Sequence, residues 1–134
     1  MYKTRLFPTL LALLVFVAVV HIVAAKLYWY WTIPWIDRIP HLSAGALVAL
    51  SSLWFLYLSG YVESKGRSQL RVFFISFFSA LFIGLLWEFF EVYFHITSLS
   101  SPDYYRDNGG DILMDVLGGI GGYVYFNYKG YNKV

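Results

Sequence analysis

The chain has 134 residues, 59% of them hydrophobic and 13% charged, with a formal net charge of +2 and no cysteine. That length holds one small domain, and that apolarity places it in a bilayer rather than in water. The lack of cysteine excludes disulfides and thiolate metal ligands, while the sequence carries no phosphate-cradling glycine loop, serine nucleophile motif or nucleic-acid signature.

Residues 6–25 contain no Asp, Glu, Lys or Arg. At about 1.5 Å per residue they cross a hydrocarbon core of roughly 30 Å. Lys3 and Arg5 before the run and Val23-Ala24-Ala25 at its end imitate a secretory signal. The run exceeds the roughly 7 to 15 apolar residues of a signal core, so a retained span is expected. Tyr28-Trp29-Tyr30-Trp31 and Trp35 follow as an aromatic belt at headgroup level. Pro34 and Pro40 frame the turn into the next helix, where a first-turn proline does little harm because its missing N–H would be unpaired there.

A second span is expected over residues 41–60, and a third over 72–94, interrupted only by Glu88 and Glu91. Residues 61–71 between them read as a hydrophilic connector. Residues 96–110, rich in serine, glycine, Asn108 and Pro102, read as an external polar loop. The fourth segment, 110–128, is glycine-rich and could by itself be re-entrant; it is taken as a span that completes an all-α, four-helix polytopic bundle in one domain.

Four spans put Lys3, Arg5, Lys65, Arg67, Arg71, Lys129 and Lys133 on one side and only Lys26, Arg38 and Arg106 on the other. The positive-inside rule then places both termini in the cytoplasm. The acids divide the other way: Glu63 alone is cytoplasmic, and Asp37, Glu88, Glu91, Asp103, Asp107, Asp111 and Asp115 belong to the outer half.

This topology gathers three pairs of polar residues, each spaced three or four apart and so on one helix face: Asp37 with His41, Glu88 with Glu91, and Asp111 with Asp115. All are expected within roughly 10 Å of the outer boundary. Acids at that depth are costly unless partnered, which makes them the functional lead. Beneath them run rows of small residues at four-residue steps, His41-Gly45-Ala49, Ala80-Gly84-Glu88 and Asp111-Asp115-Gly119, through which helices approach closely. Arg106 is the natural counter-charge. Of the remaining candidates, His21 reads as a packing histidine, His95 as a solvated loop residue, Asp103 and Asp107 as loop solubilisers, and Trp87 as either a cover for the site or a lipid-facing ring.

The ordered set Asp37-Arg38-Ile39-Pro40-His41, Glu88-Phe89-Phe90-Glu91, and Arg106 through Asp111, Asp115 and Gly118 resembles the VanZ-like family of small bacterial membrane proteins over residues 37–122. Arg38, Glu91 and Asp115 stand where that family shows Lys, Gln and Asn, which makes this cluster the more acidic. The resemblance implies a polytopic protein of the bacterial plasma membrane with a role in the cell envelope or in antibiotic resistance, the founding member being linked to teicoplanin resistance. It implies no defined activity.

Three chemistries fit the cluster. It can be a structural polar network joining the helices. It can bind a cation or small polar ligand through Asp37, His41, Glu88, Glu91, Arg106, Asp111 and Asp115, with His41, Glu88, Glu91, Asp111 and Asp115 as ligands to Mg²⁺, Mn²⁺ or Zn²⁺. A metal there would open the way to an enzyme acting on a lipid-linked or envelope substrate. Ion or proton translocation is the third, disfavoured because the inner halves of the spans carry no acid to continue a path. The expected partners are the lipid bilayer and a small polar or lipid-linked ligand, with no nucleic acid.

Overall fold

The computed structural model of the protein describes residues 5–62 and 67–131. Lys3, Glu63, Lys65 and Lys133, used above to orient the chain, lie outside the described residues. Those described are all-helical, with no strand among them. The order is α1 (Phe7–Lys26), a one-turn helix α2 (Trp29–Thr32), α3 (Arg38–Leu53) continued by a π-helical turn (Trp54–Leu58), α4 (Gln69–Tyr93) and α5 (Tyr104–Tyr128). Three of the helical segments, Phe7–Lys26, Arg38–Leu58 and Gln69–Tyr93, are long and apolar enough to cross a membrane.

Local chemistry accounts for the boundaries. Pro8 sits in the first turn of α1, Lys26 in its last, where a cation suits the negative end of the helix dipole. Tyr28 adopts a left-handed φ of 58° at the sharp turn into α2. Ser68 caps α4, its hydroxyl accepting from the Arg71 backbone N–H. At the far end of α3, Ser59 N–H reaches back five residues to the Trp54 carbonyl at 2.8 Å, closing the π turn. The Arg67 guanidinium then donates to the Tyr57 and Tyr131 carbonyls at 2.7 and 3.1 Å. It ties the end of this helix to the segment that follows α5.

α5 differs most from expectation. It starts at Tyr104 rather than near residue 110, so the segment containing Asn108, Gly109 and Gly110 is helical and not loop. Two glycines cost such a turn roughly 1 kcal/mol each. Asp107 in the first turn offsets part of this through the helix dipole, and the Asn108 amide bonds the Tyr104 hydroxyl and the Glu88 carboxylate. The earlier start also moves Asp111 and Asp115 out of the first turn. They stand about 10 and 16 Å along the helix from Tyr104, at 1.5 Å per residue.

α5 packs between α3 and α4, and all three meet through small residues. The buried face of α4 is an unbroken four-residue ladder, Val72, Ser76, Ala80, Gly84 and Glu88. On α3 the row is His41, Gly45 and Ala49, and on α5 it is Asp115, Gly118, Gly119 and Gly122. The α3–α5 contact is backbone on backbone: a Cβ on Gly45 would lie 2.7 Å from the Asp115 carbonyl carbon, and one on Gly118 would lie 2.9 Å from the Leu42 carbonyl carbon and the Ala46 nitrogen. α1 is peripheral, burying only Ala24 of its own residues. At the end of the bundle where α3 finishes and α4 begins, Leu50, Leu53, Tyr57, Leu58, Val72 and Phe126 form an apolar core. Large apolar side chains such as Phe16, Phe78, Phe82 and Leu86 cover the outside, as lipid contact requires.

Candidate functional site

At the opposite end from the apolar core, α3, α4 and α5 bring polar side chains to one imidazole. His41 enters from the first turn of α3 and is 6% exposed. Its Nδ1 bonds Asp115 Oδ2 of α5 at 3.0 Å, both groups being buried. Its Nε2 faces Asp37 Oδ1 at 3.8 Å and Glu88 Oε1 at 4.0 Å. Asp37 is the residue before α3, and its carboxylate makes no cap bond to the helix. Asp111 completes the group: one oxygen each from Asp37 and Asp111 and one nitrogen of His41 all lie within 4.8 Å of one another.

Glu88 is the most deeply placed acid of α4, 6% exposed. One carboxylate oxygen accepts from the Asn108 amide of α5. The other, Oε1, is buried with no hydrogen-bond partner and points toward His41 Nε2. A buried carboxylate oxygen left unpaired costs on the order of 1–3 kcal/mol, so this oxygen is where the cluster is incomplete. Burial raises the carboxyl of Asp37 above the ordinary range; the adjacent His41 pulls the other way. Four carboxylates, those of Asp37, Glu88, Asp111 and Asp115, thus surround one imidazole. Full ionisation of all four would leave the group strongly negative in a low-dielectric setting, and it needs protons or a cation.

The other expected members are placed differently. Glu91 stands one turn beyond Glu88 and accepts from Trp87 Nε1 at 3.0 Å, with Trp87 stacked on Phe90 at a centroid distance of 5.4 Å. Trp87 therefore reaches the polar region through its indole N–H while 43% of it stays exposed. Arg106 lies on the exposed side of α5, and among the described residues no ion pair joins it to an acid. The acids meet His41 in its place, with Asp37, Glu88 and Asp115 all within 4.0 Å of its ring nitrogens. Arg106 faces away because α5 turns Asn108, Asp111 and Asp115 inward, at steps of three and four residues. His21 bonds the Tyr30 hydroxyl at 2.8 Å, which links α1 to α2 above the site. Burial, with the charges of Asp37 and Glu91, pushes the Tyr30 phenol up to about 12. His95 is exposed beyond α4 with a left-handed φ of 56°.

Two participants escaped the reading of the residues alone. Asn108 was expected in a loop; its spacing from Asp111 and Asp115 places it on their face only once the helix is known to begin earlier. Gly84 was expected as a packing residue, and it also leaves the space that Asp115 fills, since a Cβ there would stand 2.5 Å from Asp115 Oδ2.

No curated protein and no solved structure matches the chain. Its membrane-length helices agree with what the sequence matches over residues 1–129: the chain belongs to the family described as Predicted membrane protein (DUF2238).

Proposed function

We propose that this membrane protein spans the bilayer four times, with both termini cytoplasmic, and binds a divalent cation in the outer cluster through Asp37, His41, Asp111 and Glu88. The observation that carries the reading is Glu88 Oε1, a buried and unpaired oxygen aimed at the imidazole beside the Asp37, His41 and Asp111 donors. A cation would satisfy it and neutralise the surrounding acids at once. Donors bound to a metal at roughly 2.0–2.2 Å cannot be more than about 4.4 Å apart. The donors of Asp37, His41 and Asp111, which lie within 4.8 Å of one another, must close in by about 1 Å to reach the roughly 3.5 Å spacing of tetrahedral ligands, and Glu88 joins them from outside that trio. Glu91 and Arg106 fall outside this ligand set, and Asp115 is already engaged by His41 Nδ1.

The fourth span is supported by α5 being 25 residues long and packed along both α3 and α4. The order of Asp37, His41, Glu88, Asp111 and Asp115 keeps the likeness to VanZ-like proteins, and with it a role in the bacterial cell envelope. A purely structural network is the second reading, favoured by the His41–Asp115 and Asn108–Glu88 bonds, which link α3 to α5 and α5 to α4.

Elemental analysis of the purified protein, followed by titration with Zn²⁺, Mn²⁺ and Mg²⁺, separates the two. Near-stoichiometric metal that is lost in Glu88→Gln and Asp111→Asn supports the cation site. Absence of any bound ion, with the same variants merely less heat-stable, leaves the structural network.

A further inference from the structure

Building on the cation reading, we infer that Asp115 is the positioning residue of the site, seated in the slot left by Gly84, and that through His41 it selects zinc-class ions over magnesium.

Asp115 is 4% exposed, and the same oxygen, Oδ2, that bonds His41 Nδ1 at 3.0 Å lies against the α4 backbone at Gly84. That oxygen is enclosed between an imidazole edge and a helix, which leaves no approach for an ion. Through this oxygen Asp115 acts on the ring rather than on an ion. By accepting the Nδ1–H it fixes the proton on that nitrogen and leaves the Nε2 lone pair on the opposite edge of the ring. Nε2 is the atom that faces Asp37 Oδ1 at 3.8 Å and the unpaired Glu88 Oε1 at 4.0 Å. A carboxylate behind a histidine in this way orients the ligand and raises its basicity, and its loss typically lowers metal affinity about 10- to 100-fold.

The delivered nitrogen also decides the ion. Zinc and its transition-metal neighbours accept imidazole readily, whereas magnesium demands oxygen ligands in near-octahedral array and holds its water. Gly84 belongs to the device because any side chain there would push the Asp115 carboxylate off the ring. Its Cβ would stand 2.5 Å from Oδ2 and 3.0 Å from Cγ.

The test is titration of the full-length protein in detergent with Zn²⁺ and Mg²⁺ separately, and with Co²⁺ as a visible-absorbing stand-in for zinc. The wild type is compared with Asp115→Ala, Asp115→Asn and Gly84→Ala. The wild type is expected to prefer zinc. Asp115→Ala should lose about 10- to 100-fold in zinc affinity with magnesium affinity nearly unchanged, and the Co²⁺ absorption bands should shift. Asp115→Asn, which keeps an acceptor for Nδ1–H, should lose less. Gly84→Ala should follow Asp115→Ala in direction.

If the wild type binds neither ion, the cation reading itself fails. If it binds zinc and Asp115→Ala binds it equally well, or if zinc and magnesium affinities fall together, the positioning role is overturned while the cation site stands. Should Asp115→Ala fail to fold, the near-isosteric Asp115→Asn decides: a selective loss of zinc supports the inference, and an equal loss of both ions ends it.

Discussion

Gly45→Ala should both loosen the bundle and break the polar cluster around His41. The added methyl would lie 2.7 and 2.8 Å from the carbonyl carbon and Cα of Asp115, where carbon atoms settle at about 3.5–4.0 Å. α3 and α5 must then part by about 1 Å. A rigid separation of that size stretches the His41–Asp115 bond from 3.0 Å to roughly 4 Å, beyond hydrogen-bonding reach. Overpacking costs about 1–3 kcal/mol, and stranding a buried polar pair adds about 1–3 kcal/mol, so the expected loss is about 2–6 kcal/mol. Gly118→Ala, whose methyl meets the α3 backbone one turn further on, should behave alike. Gly121→Ala is the control: nothing lies within 4 Å of its Cβ, and the better helix former should leave stability unchanged or raise it by up to about 1 kcal/mol. The assay is unfolding of purified protein in mixed micelles by increasing SDS, followed by far-UV circular dichroism. Equal midpoints for Gly45→Ala and Gly121→Ala would refute the claim that backbone contact between α3 and α5 holds the site together.

Further outcomes follow from other parts of the molecule. Arg67→Ala removes two hydrogen bonds to the Tyr57 and Tyr131 carbonyls; charged bonds of this kind contribute about 1.5–3 kcal/mol each, and hydrogen exchange should accelerate over residues 54–59 with little change near His41. The Tyr30 phenol is held at about 12 in the fold, above its ordinary value near 10. Its contribution to stability is therefore full below pH 10 and lost as pH rises toward 12. Ultraviolet difference titration should lose a late-ionising tyrosine when Tyr30→Phe is made, and an unchanged titration in that variant would contradict the placement of α2 over the acids. Because the chain lacks cysteine, single substitutions report topology cleanly. Ser100→Cys should react with a membrane-impermeant maleimide on intact cells and Lys129→Cys only after permeabilisation. Labelling of both from outside would contradict a fourth crossing by α5.

The helices of membrane length were legible because uninterrupted apolar runs allow little else at 20 residues or more. The meeting of His41, Glu88 and Asp111 at one end of the bundle follows from spacing, since alternating helix directions and a fixed rise per residue bring those positions level. What remained hidden depends on side-chain partners far apart in the chain. The Gly109-Gly110 pair reads locally as a loop, and the bond from Asn108 to Glu88 joins residues 20 positions apart. The same limit misassigned the counter-charge: Arg106 is near in sequence to Asp111, yet the rotation of α5 that turns Asn108 inward turns Arg106 out. The setting of Asp115 was likewise unreadable, because it looks like the other acids until Gly84 is seen pressed against its oxygen.

Below Asp115 the helices close on one another, first through Ala80 and Ser76 and then through Leu53, Val72 and Phe126, each of them 1% exposed or less. The bundle is therefore sealed at this end by aliphatic and aromatic side chains, while at the acidic end Asp37 and Asp111 stay half-buried. On the proposed reading, an ion at His41 would come and go past Asp37 and Asp111, since the other end is closed.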